Sequence, residues 1–507
     1  MKDPIRKLAL IGGLVVLLGM GLDHKGYPSE RKNVIFIHHS VGESLIKDGS
    51  VREILTEAGL DFWDHGYNHP EFGLRNGRGE PAGCYWIPDD NTDPDGIANL
   101  LKLDPQSDNP LRKILNGHDV ILFKSCFPNS QISEDNLSKD LADPRRRSLY
   151  NYRRHYLSIR QSIDKYPTKI FIIVTQPPMH PKDTNDEEAR RARTFVEWLK
   201  SPEYLGGRKN LFVFDYFSLL TDPKTNMLRT EYQIDPQKRE SHPNSIAQMI
   251  AGVHLADFIV NTINFGRHSK LAKVAFDSST WPNHLMRSSA SVTHLTGRII
   301  INGNEIKRIT WSDLKGETGE LQARKLWAIR DIKLKPGVTK VLVTAVNGEG
   351  LRSSSAIGLQ YYTGSAHQDI IFEKNLRCGS LDGFHSSYDN PPAGTQKLVI
   401  EGTGKPQRLA INWVNLDLSD FDPENTYLEI EYGQSGDGGE AELFLAGVGS
   451  YIWLPDNQSG TKRLKVPFKN FVYVRNILDH LVIRGIWPEK VKVYIDSIRL
   501  VCRGKKE

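Results

Sequence analysis

Ser40 and His242 are the residues whose type and context best suit chemistry. Ser40 lies in His38-His39-Ser40-Val41-Gly42, directly after the apolar run Val34–Ile37. His242 lies in Glu240-Ser241-His242-Pro243-Asn244, just before an apolar-periodic stretch. A serine hydroxyl is a poor nucleophile at neutral pH; it needs an adjacent base, usually histidine, and donors for the oxyanion formed on attack. Three further polar motifs follow strand-like runs. Lys124-Ser125-Cys126-Phe127-Pro128-Asn129-Ser130 follows Val120–Phe123, Thr175-Gln176-Pro177-Pro178 follows Ile170–Val174, and Asp215 follows Leu211–Phe214. In an open parallel sheet all strands end on one edge, where ligands bind, so groups distant in sequence converge on one crevice. Taken singly, Ser40 suits a helix cap, His242 a turn, and Asn129 a cap at Ser130. The joint pattern, in chain order, reads as an active site.

With these motifs, residues 31–266 resemble the SGNH (GDSL-like) hydrolases. That family carries its nucleophile in a Gly-Asp-Ser block after the first strand; here the block reads His38-His39-Ser40, and only the serine matches. His242-Pro243 is the most specific element of the match. The resemblance implies Ser40 as nucleophile and His242 as general base. It implies oxyanion donors from the Ser40 backbone N–H, from Gly66 in Asp64-His65-Gly66-Tyr67-Asn68, and from the Asn129 side-chain amide. The family usually places Asp three residues before its histidine. Here that residue is Arg239, which cannot accept the imidazole N–H. Glu240 is the nearest carboxylate, and related acyltransferases that modify polysaccharides show a similar Asp-x-His spacing. Asp235, Asp215, a backbone carbonyl or a bare Ser–His dyad are the alternatives. His39 takes the place of the family's Asp; with Lys124 it is a substrate-binding candidate, although Lys124 and Glu43 also suit a solvated rim. His38, His39, His65 and His69 lack carboxylate-rich or HExxH spacing, so no metal or other cofactor is expected.

The elements that would position these groups are legible. Residues 31–266 alternate short β-branched or aromatic runs with helical stretches such as Arg145–Lys165 and Asn185–Leu199. This implies a three-layer α/β unit with an open parallel sheet, flavodoxin-like in outline. After Asn244, residues Ile246, Met249, Ile250 and Val253 share one helical face behind a capping polar residue. Helical periodicity ends near residue 270. Strand-like runs at Arg298–Ile301, Lys307–Trp311 and Thr339–Ala345, with turn signals between them, predict a small β-sandwich over 270–362 that resembles bacterial immunoglobulin-like modules. Residues 366–503 are also strand-rich. They close on Val493-Tyr494-Ile495-Asp496-Ser497-Ile498-Arg499-Leu500, which resembles the last strand of jelly-roll carbohydrate-binding modules. There, Tyr451 and Trp453 are candidates for stacking on sugar rings or for the core, and Trp413 and Trp487 suit the core.

Composition bounds the rest. At 507 residues the chain is too long for one core. Net charge is only +5, and no dense Lys/Arg stripe with interleaved aromatics occurs, which argues against nucleic acid. Arg145-Arg146-Arg147 and Arg190-Arg191 read as solvated helix faces. Lys2, Arg6 and Lys7 precede an apolar stretch from Leu8 to Leu22, so residues 1–30 read as an export signal or an uncleaved anchor. The expected location is secreted or periplasmic. An oxidising compartment permits disulfides, with Cys84–Cys126 and Cys378–Cys502 the simplest pairing and free buried thiols the alternative. The expected function is an exported serine esterase removing acyl groups, most readily acetyl, from a carbohydrate. The alternatives are a polysaccharide O-acyltransferase on the same scaffold and a non-catalytic glycan-binding envelope protein, which the Arg239 departure favours.

Overall fold

The computed structural model describes residues 33–237, 239–266, 272–277, 284–288, 290–301 and 305–361, and, between 367 and 502, the strands and turns named below. Residues 1–30, read from the sequence as an export signal or an anchor, lie outside the described residues. The first unit is built on six strands: β1 (Asn33–Ile37), β2 (Asp61–His65), β3 (Leu74–Arg75), β4 (Val120–Lys124), β5 (Ile170–Val174) and β6 (Leu211–Phe214). Their order across the sheet is β3-β2-β1-β4-β5-β6. Only β3 runs antiparallel to its neighbour; the other four pairings are parallel. The helices in chain order are α1 (Val41–Gly49), α2 (Val51–Glu57), α3 (Pro94–Lys102), α4 (Pro110–Gly117), α5 (Leu137–Ala142), α6 (Leu149–Ile163), α7 (Asp186–Lys200), α8 (Pro202–Leu205), α9 (Tyr216–Leu220) and α10 (Ser245–Phe265).

Alternation along the buried strands divides the core into two layers. Val34, Phe36, Leu122 and Ile172 pack with Val41 and Leu45 of α1, Ile54 of α2, and Ala251 and Ala256 of α10. Ile35, Ile37, Phe123 and Ile173 face the other way, against Ile97 of α3, Ile114 of α4, Ile159 of α6 and Phe195 of α7. This two-faced burial explains why the strands read as unbroken apolar runs. Helix α10 is long and apolar enough to cross a membrane, but 83% of its most apolar window is buried in the molecule.

The chain reverses its direction of winding between β1 and β4, the topological switch point at which open α/β sheets bind ligands. Register aligns the strand ends there: Ile37 pairs with both His65 and Phe123, Lys124 with Val174, and Val174 with Phe214. The segments after β1, β2, β4 and β5 therefore leave one sheet edge side by side.

A second unit carries β7 (Lys273–Phe276), β8 (Leu285–Ser288), β9 (Val292–Ile300), β10 (Ile306–Ser312), β11 (Thr318–Leu321), β12 (Leu326–Lys333), β13 (Gly337–Asn347) and β14 (Arg352–Tyr361). They form two sheets, β11-β10-β13-β14-β8 and β12-β9-β7, around a core that includes Phe276, Leu295, Ile309, Trp327, Val341 and Ile357. This sandwich is joined to α10. Asp257 accepts hydrogen bonds from the Ser354 backbone N–H at 2.5 Å and from Arg352 Nε at 2.6 Å, and Asn261 exchanges two bonds with the Arg352 backbone. Lys340 reaches the end of α1, donating to the Asp48 carbonyl at 2.7 Å and to Ser50 Oγ at 2.9 Å.

The third unit is antiparallel. One sheet pairs the closing strand Lys492–Cys502 with Thr426–Gln434, His367–Glu373 and Leu398–Glu401; another places His480–Ile486 between Pro406–Asn412 and Glu440–Ala446. Trp487 is buried, with Ile483, Val493, Ile495 and Ile498 also in the interior. Tyr451 and Trp453 lie two residues apart on Ser450–Leu454, which pairs with Glu440–Ala446. Their side chains, Trp413, Cys378 and the Cys502 side chain lie outside the described residues.

Two expectations are corrected here. Cys84 and Cys126 are free thiols. Cys84 Sγ lies 3.4 Å from His65 Nε2, beside β2, whereas Cys126 follows β4; β1 separates those two strands. Two strand spacings amount to about 10 Å, beyond the reach of a disulfide. Lys124 is neither rim nor substrate contact. It is the last residue of β4, fully buried at 0% exposure, and its ammonium donates to the Ser125 carbonyl at 3.0 Å.

Candidate active site

Ser40 stands between β1 and α1, in the capping position, yet its side chain makes no capping hydrogen bond. The hydroxyl lies 3.0 Å from Cys126 Sγ instead. The bland reading of Ser40 as a helix cap therefore does not apply. Gly42 is required for local packing, because a Cβ there would fall 2.4 Å from the His38 Cβ.

His242 is held from behind by Glu240. One Glu240 carboxylate oxygen accepts the His242 backbone N–H at 2.8 Å and contacts Nδ1 of the ring. An ionised carboxylate can only accept, so Nδ1 carries the proton and Nε2 is left as the basic nitrogen. Glu240 is buried, while the His242 side chain keeps 27% of its surface exposed. The carboxylates that compete with Glu240 in the sequence are engaged elsewhere. Asp215 caps α9 through Ser218 N at 2.9 Å and pairs with Lys200 at 2.6 Å, and Asp235 accepts from Gln237 N at 2.8 Å. Asn244 caps α10 through Ala247 N at 3.0 Å, which fixes the loop carrying His242. Ser241 bonds to Asp183 Oδ2 at 2.7 Å and accepts from His180 N at 2.9 Å, a second fastening.

The turn after β4 joins the two halves. Cys126 touches Ser40, and the next ring, Phe127, stands edge-on to His242 with centroids 4.9 Å apart. Burial alone would raise the Cys126 pKa, but the Lys124 and His242 charges, the Ser40 bond and the Val41 N–H together bring it below that of an ordinary thiol. Lys124 is pushed down by its own burial, against the pull of Cys126 and Asp93.

Two oxyanion expectations meet competing bonds. The Gly66 N–H donates to the Gly73 carbonyl at 2.8 Å, closing the hairpin from β2 to β3, so it is not a free donor. The Asn129 amide donates to Asp93 Oδ1 at 2.5 Å, and its oxygen accepts from Tyr152 Oη at 2.7 Å. Asn129 thus keeps one amide hydrogen beyond the Asp93 bond.

The histidines near Ser40 have separate duties. His38 is buried with Nε2 3.2 Å from Asp64, whose carboxylate also binds Arg52 and, at 3.1 Å, Arg75. Burial pushes Asp64 up, but His38 and the two arginines outweigh it and hold the carboxyl below its ordinary range. Arg75 continues to Glu43 at 3.1 Å, and Glu43 to Lys47 at 3.0 Å. His39 stacks on Tyr67 at 4.0 Å with Nε2 3.3 Å from Asp90; burial lowers its pKa to about 4 despite that carboxylate. His65 accepts the Tyr85 N–H at 3.2 Å, and His69 stacks on Phe72. Among the described residues no group of three His, Cys, Asp or Glu side chains could hold a metal ion.

Tyr67 and Trp86 carry no motif that singles them out in the sequence, and Cys126 stands out there only within the motif after β4 and as a disulfide candidate. Trp86 is 56% exposed and has a φ of 59°, a left-handed conformation uncommon for a bulky residue. Its loop is pinned on both sides, Tyr85 N to His65 and Ile87 N to Asn68 Oδ1 at 2.9 Å, while Asn68 N donates to Asp90 at 2.8 Å.

No family model and no curated protein matches the sequence. Solved structures similar to parts of the chain include a carbohydrate-binding module of the β-sandwich superfamily, at 12% identity and a TM-score of 0.17, over 46% of this chain and 98% of that one. Another is a family 29 carbohydrate-binding module from Piromyces equi, at 14% identity and a TM-score of 0.20, over 27% of this chain and 92% of that one. A family 29 module with an Asp-to-Ala change gives 12% identity and 0.19, over 27% and 92%.

Proposed function

We propose that this chain is an exported serine esterase of the SGNH type that removes acyl groups, acetyl foremost, from a carbohydrate. The observation that carries the reading is the Glu240–His242 contact, which leaves Nε2 as the basic nitrogen, taken with a Ser40 hydroxyl that does not cap its own helix and that touches Cys126, the neighbour in sequence of the Phe127 ring packed against His242. His242 takes the Ser40 proton as Oγ attacks the ester carbonyl. Collapse of the tetrahedral intermediate expels the sugar alkoxide, which His242 protonates. Water, activated by the same imidazole, then releases the acyl group from Ser40. The sheet edge at the switch point and the exposure of His242 leave the crevice open to water, which favours hydrolysis over transfer to a second acceptor.

The carbohydrate part of the reading rests on the export-type N-terminus, the two appended β-rich units, and the exposed side chains of Tyr67 and Trp86 in the segments after β2 and β3. The test is acetate release from p-nitrophenyl acetate and from an acetylated polysaccharide. Ser40→Ala should abolish both while thermal unfolding stays as in the wild type. Undiminished release in that variant would reject the assignment. Acyl transfer to an added glycan in preference to water would replace the esterase by an acyltransferase.

A further inference from the structure

We propose that Asp93 is a positioning residue of the reaction: it holds the Asn129 amide in the one orientation that offers a free N–H to the oxyanion formed on Ser40. The assignment rests on the esterase reading above. Asp93 occupies the capping position of α3, yet its side chain makes no capping hydrogen bond. Its Oδ1 accepts from Asn129 Nδ2 instead, at 2.5 Å, and Tyr152 Oη of α6 donates to Asn129 Oδ1 at 2.7 Å. An ionised carboxylate can only accept, whereas a phenol can donate or accept. The carboxylate therefore decides which end of the amide faces it, and Tyr152 follows. A flipped amide would set two acceptors against each other.

The second amide hydrogen of Asn129 has no acceptor among the described residues, although the residue is only 2% exposed. A buried donor left unpaired is rare and points to a ligand. The turn that carries it lies against both reacting groups. The Asn129 backbone N–H donates to the Cys126 carbonyl at 3.1 Å, the Cys126 thiol lies 3.0 Å from Ser40 Oγ, and the Phe127 ring packs edge-on to His242. The segment before α3 is fastened to the same places. Asp90 lies 3.3 Å from Nε2 of His39, the neighbour of Ser40, and the Thr92 carbonyl accepts from Ser125 Oγ at 3.0 Å. Asp93 is thus held against the Asn129 turn. Burial, with the Asp95 charge adding to it, raises the Asp93 pKa above the usual carboxylate value; the Asn129 bond and the Arg147 and Lys124 charges oppose that rise by favouring the ionised form.

In the reaction, Oγ of Ser40 forms a bond to the carbonyl carbon and the carbonyl π pair moves onto oxygen. That oxygen accepts the free Asn129 N–H. When the intermediate collapses, the pair returns to the carbonyl, the C–O bond to the sugar breaks, and His242 supplies the proton to the departing oxygen. Neither Asn129 nor Asp93 gives up or takes a proton. Asp93 contributes orientation alone: the donor is already aimed when negative charge develops, and no reorganisation is needed at that moment.

The test is a double-mutant cycle on the full chain with p-nitrophenyl acetate, run well below each variant's unfolding midpoint. Asn129→Ala removes the donor and should lower kcat about 10²- to 10³-fold with KM nearly unchanged. Asp93→Asn keeps the size of the side chain but lets the amide flip, and should lower kcat about tenfold, again with little change in KM. In the Asn129→Ala background, Asp93→Asn should cost nothing further, because Asp93 acts only through the amide. Asp93→Ser takes its place in the cycle should Asp93→Asn fail to fold. Losses that multiply in the double variant overturn the assignment, since a general structural role would add to the loss of Asn129. Wild-type kcat in Asp93→Asn or in Asn129→Ala overturns it, as does a change confined to KM. Turnover absent from the wild type, or retained in Ser40→Ala, overturns the esterase reading and this assignment with it.

Discussion

Gly49 and Gly252 meet backbone to backbone where α1 crosses α10. A Cβ built on Gly252 would lie 2.4 Å from the Gly49 Cα, and one built on Gly49 would lie 2.6 Å from the Gly252 Cα. Helix α1 begins directly after Ser40, and α10 begins just after the His242 loop. The close approach of these two glycines thus sets the spacing between the elements that carry Ser40 and His242. Gly252→Ala should push the helices apart, destabilising the protein by about 1–3 kcal/mol. The folded fraction should acylate Ser40 more slowly. Urea unfolding and the rate of fluorophosphonate labelling check both effects.

Cys126 sits within hydrogen-bonding distance of the Ser40 hydroxyl, with a thiol pKa held below the ordinary value. Its alkylation by iodoacetamide should follow a pH midpoint below the ~8.5 of a free thiol. Once formed, the adduct should block Ser40, so that ester turnover and fluorophosphonate labelling fall together. Alkylation of Cys126 that leaves Ser40 reactive would contradict the contact.

Two buried histidines make the first unit acid-sensitive. Burial depresses the pKa of His65 and of His118 to about 4, against about 6.5 in an unfolded chain. The unfolded state therefore binds more protons between those values. The stabilisation is complete above pH 6.5 and is lost as pH falls toward 4, by roughly 3 kcal/mol for each histidine at the lower end. The unfolding midpoint in urea should decline from pH 6.5 downward, before ordinary carboxylates titrate. A midpoint constant between pH 6.5 and 5 would contradict it.

One buried carboxylate joins Asn261 in holding α10 to the first β-sandwich. Asp257 is buried and serves Arg352 and the backbone and hydroxyl of Ser354. Removing one partner of a buried pair costs about 3–5 kcal/mol because the other charge is left uncompensated. Asp257→Ala should lower thermal stability by that order, whereas Asp257→Ala with Arg352→Met should recover part of it. Differential scanning calorimetry of both variants is the check.

How much of this was legible in the sequence depended on where each signal comes from. Strands β1, β4 and β5 announce themselves because both their faces are covered, and Asn244 announces α10 because a cap needs a short polar side chain. Ser40, Glu240 and His242 stood out because chemistry restricts the residue types. The fate of Gly66 was hidden because β3 is only two residues long and pairs back through Gly73. Lys124 read as rim because a charged residue at a strand end is normally solvated. It is instead fully buried, with its ammonium donating to the Ser125 carbonyl. The stack of Tyr67 on His39 was invisible, since it follows from the register between β1 and β2, which leaves no local pattern.

The most direct test of the account is the site at which a fluorophosphonate attaches to the intact protein, read by mass spectrometry of the digested chain. The account predicts an adduct on Ser40 that disappears in His242→Ala and forms at least about tenfold more slowly in Glu240→Gln, where the ring loses its carboxylate partner. An unlabelled Ser40, or a Ser40 that labels at the wild-type rate without His242, would contradict it.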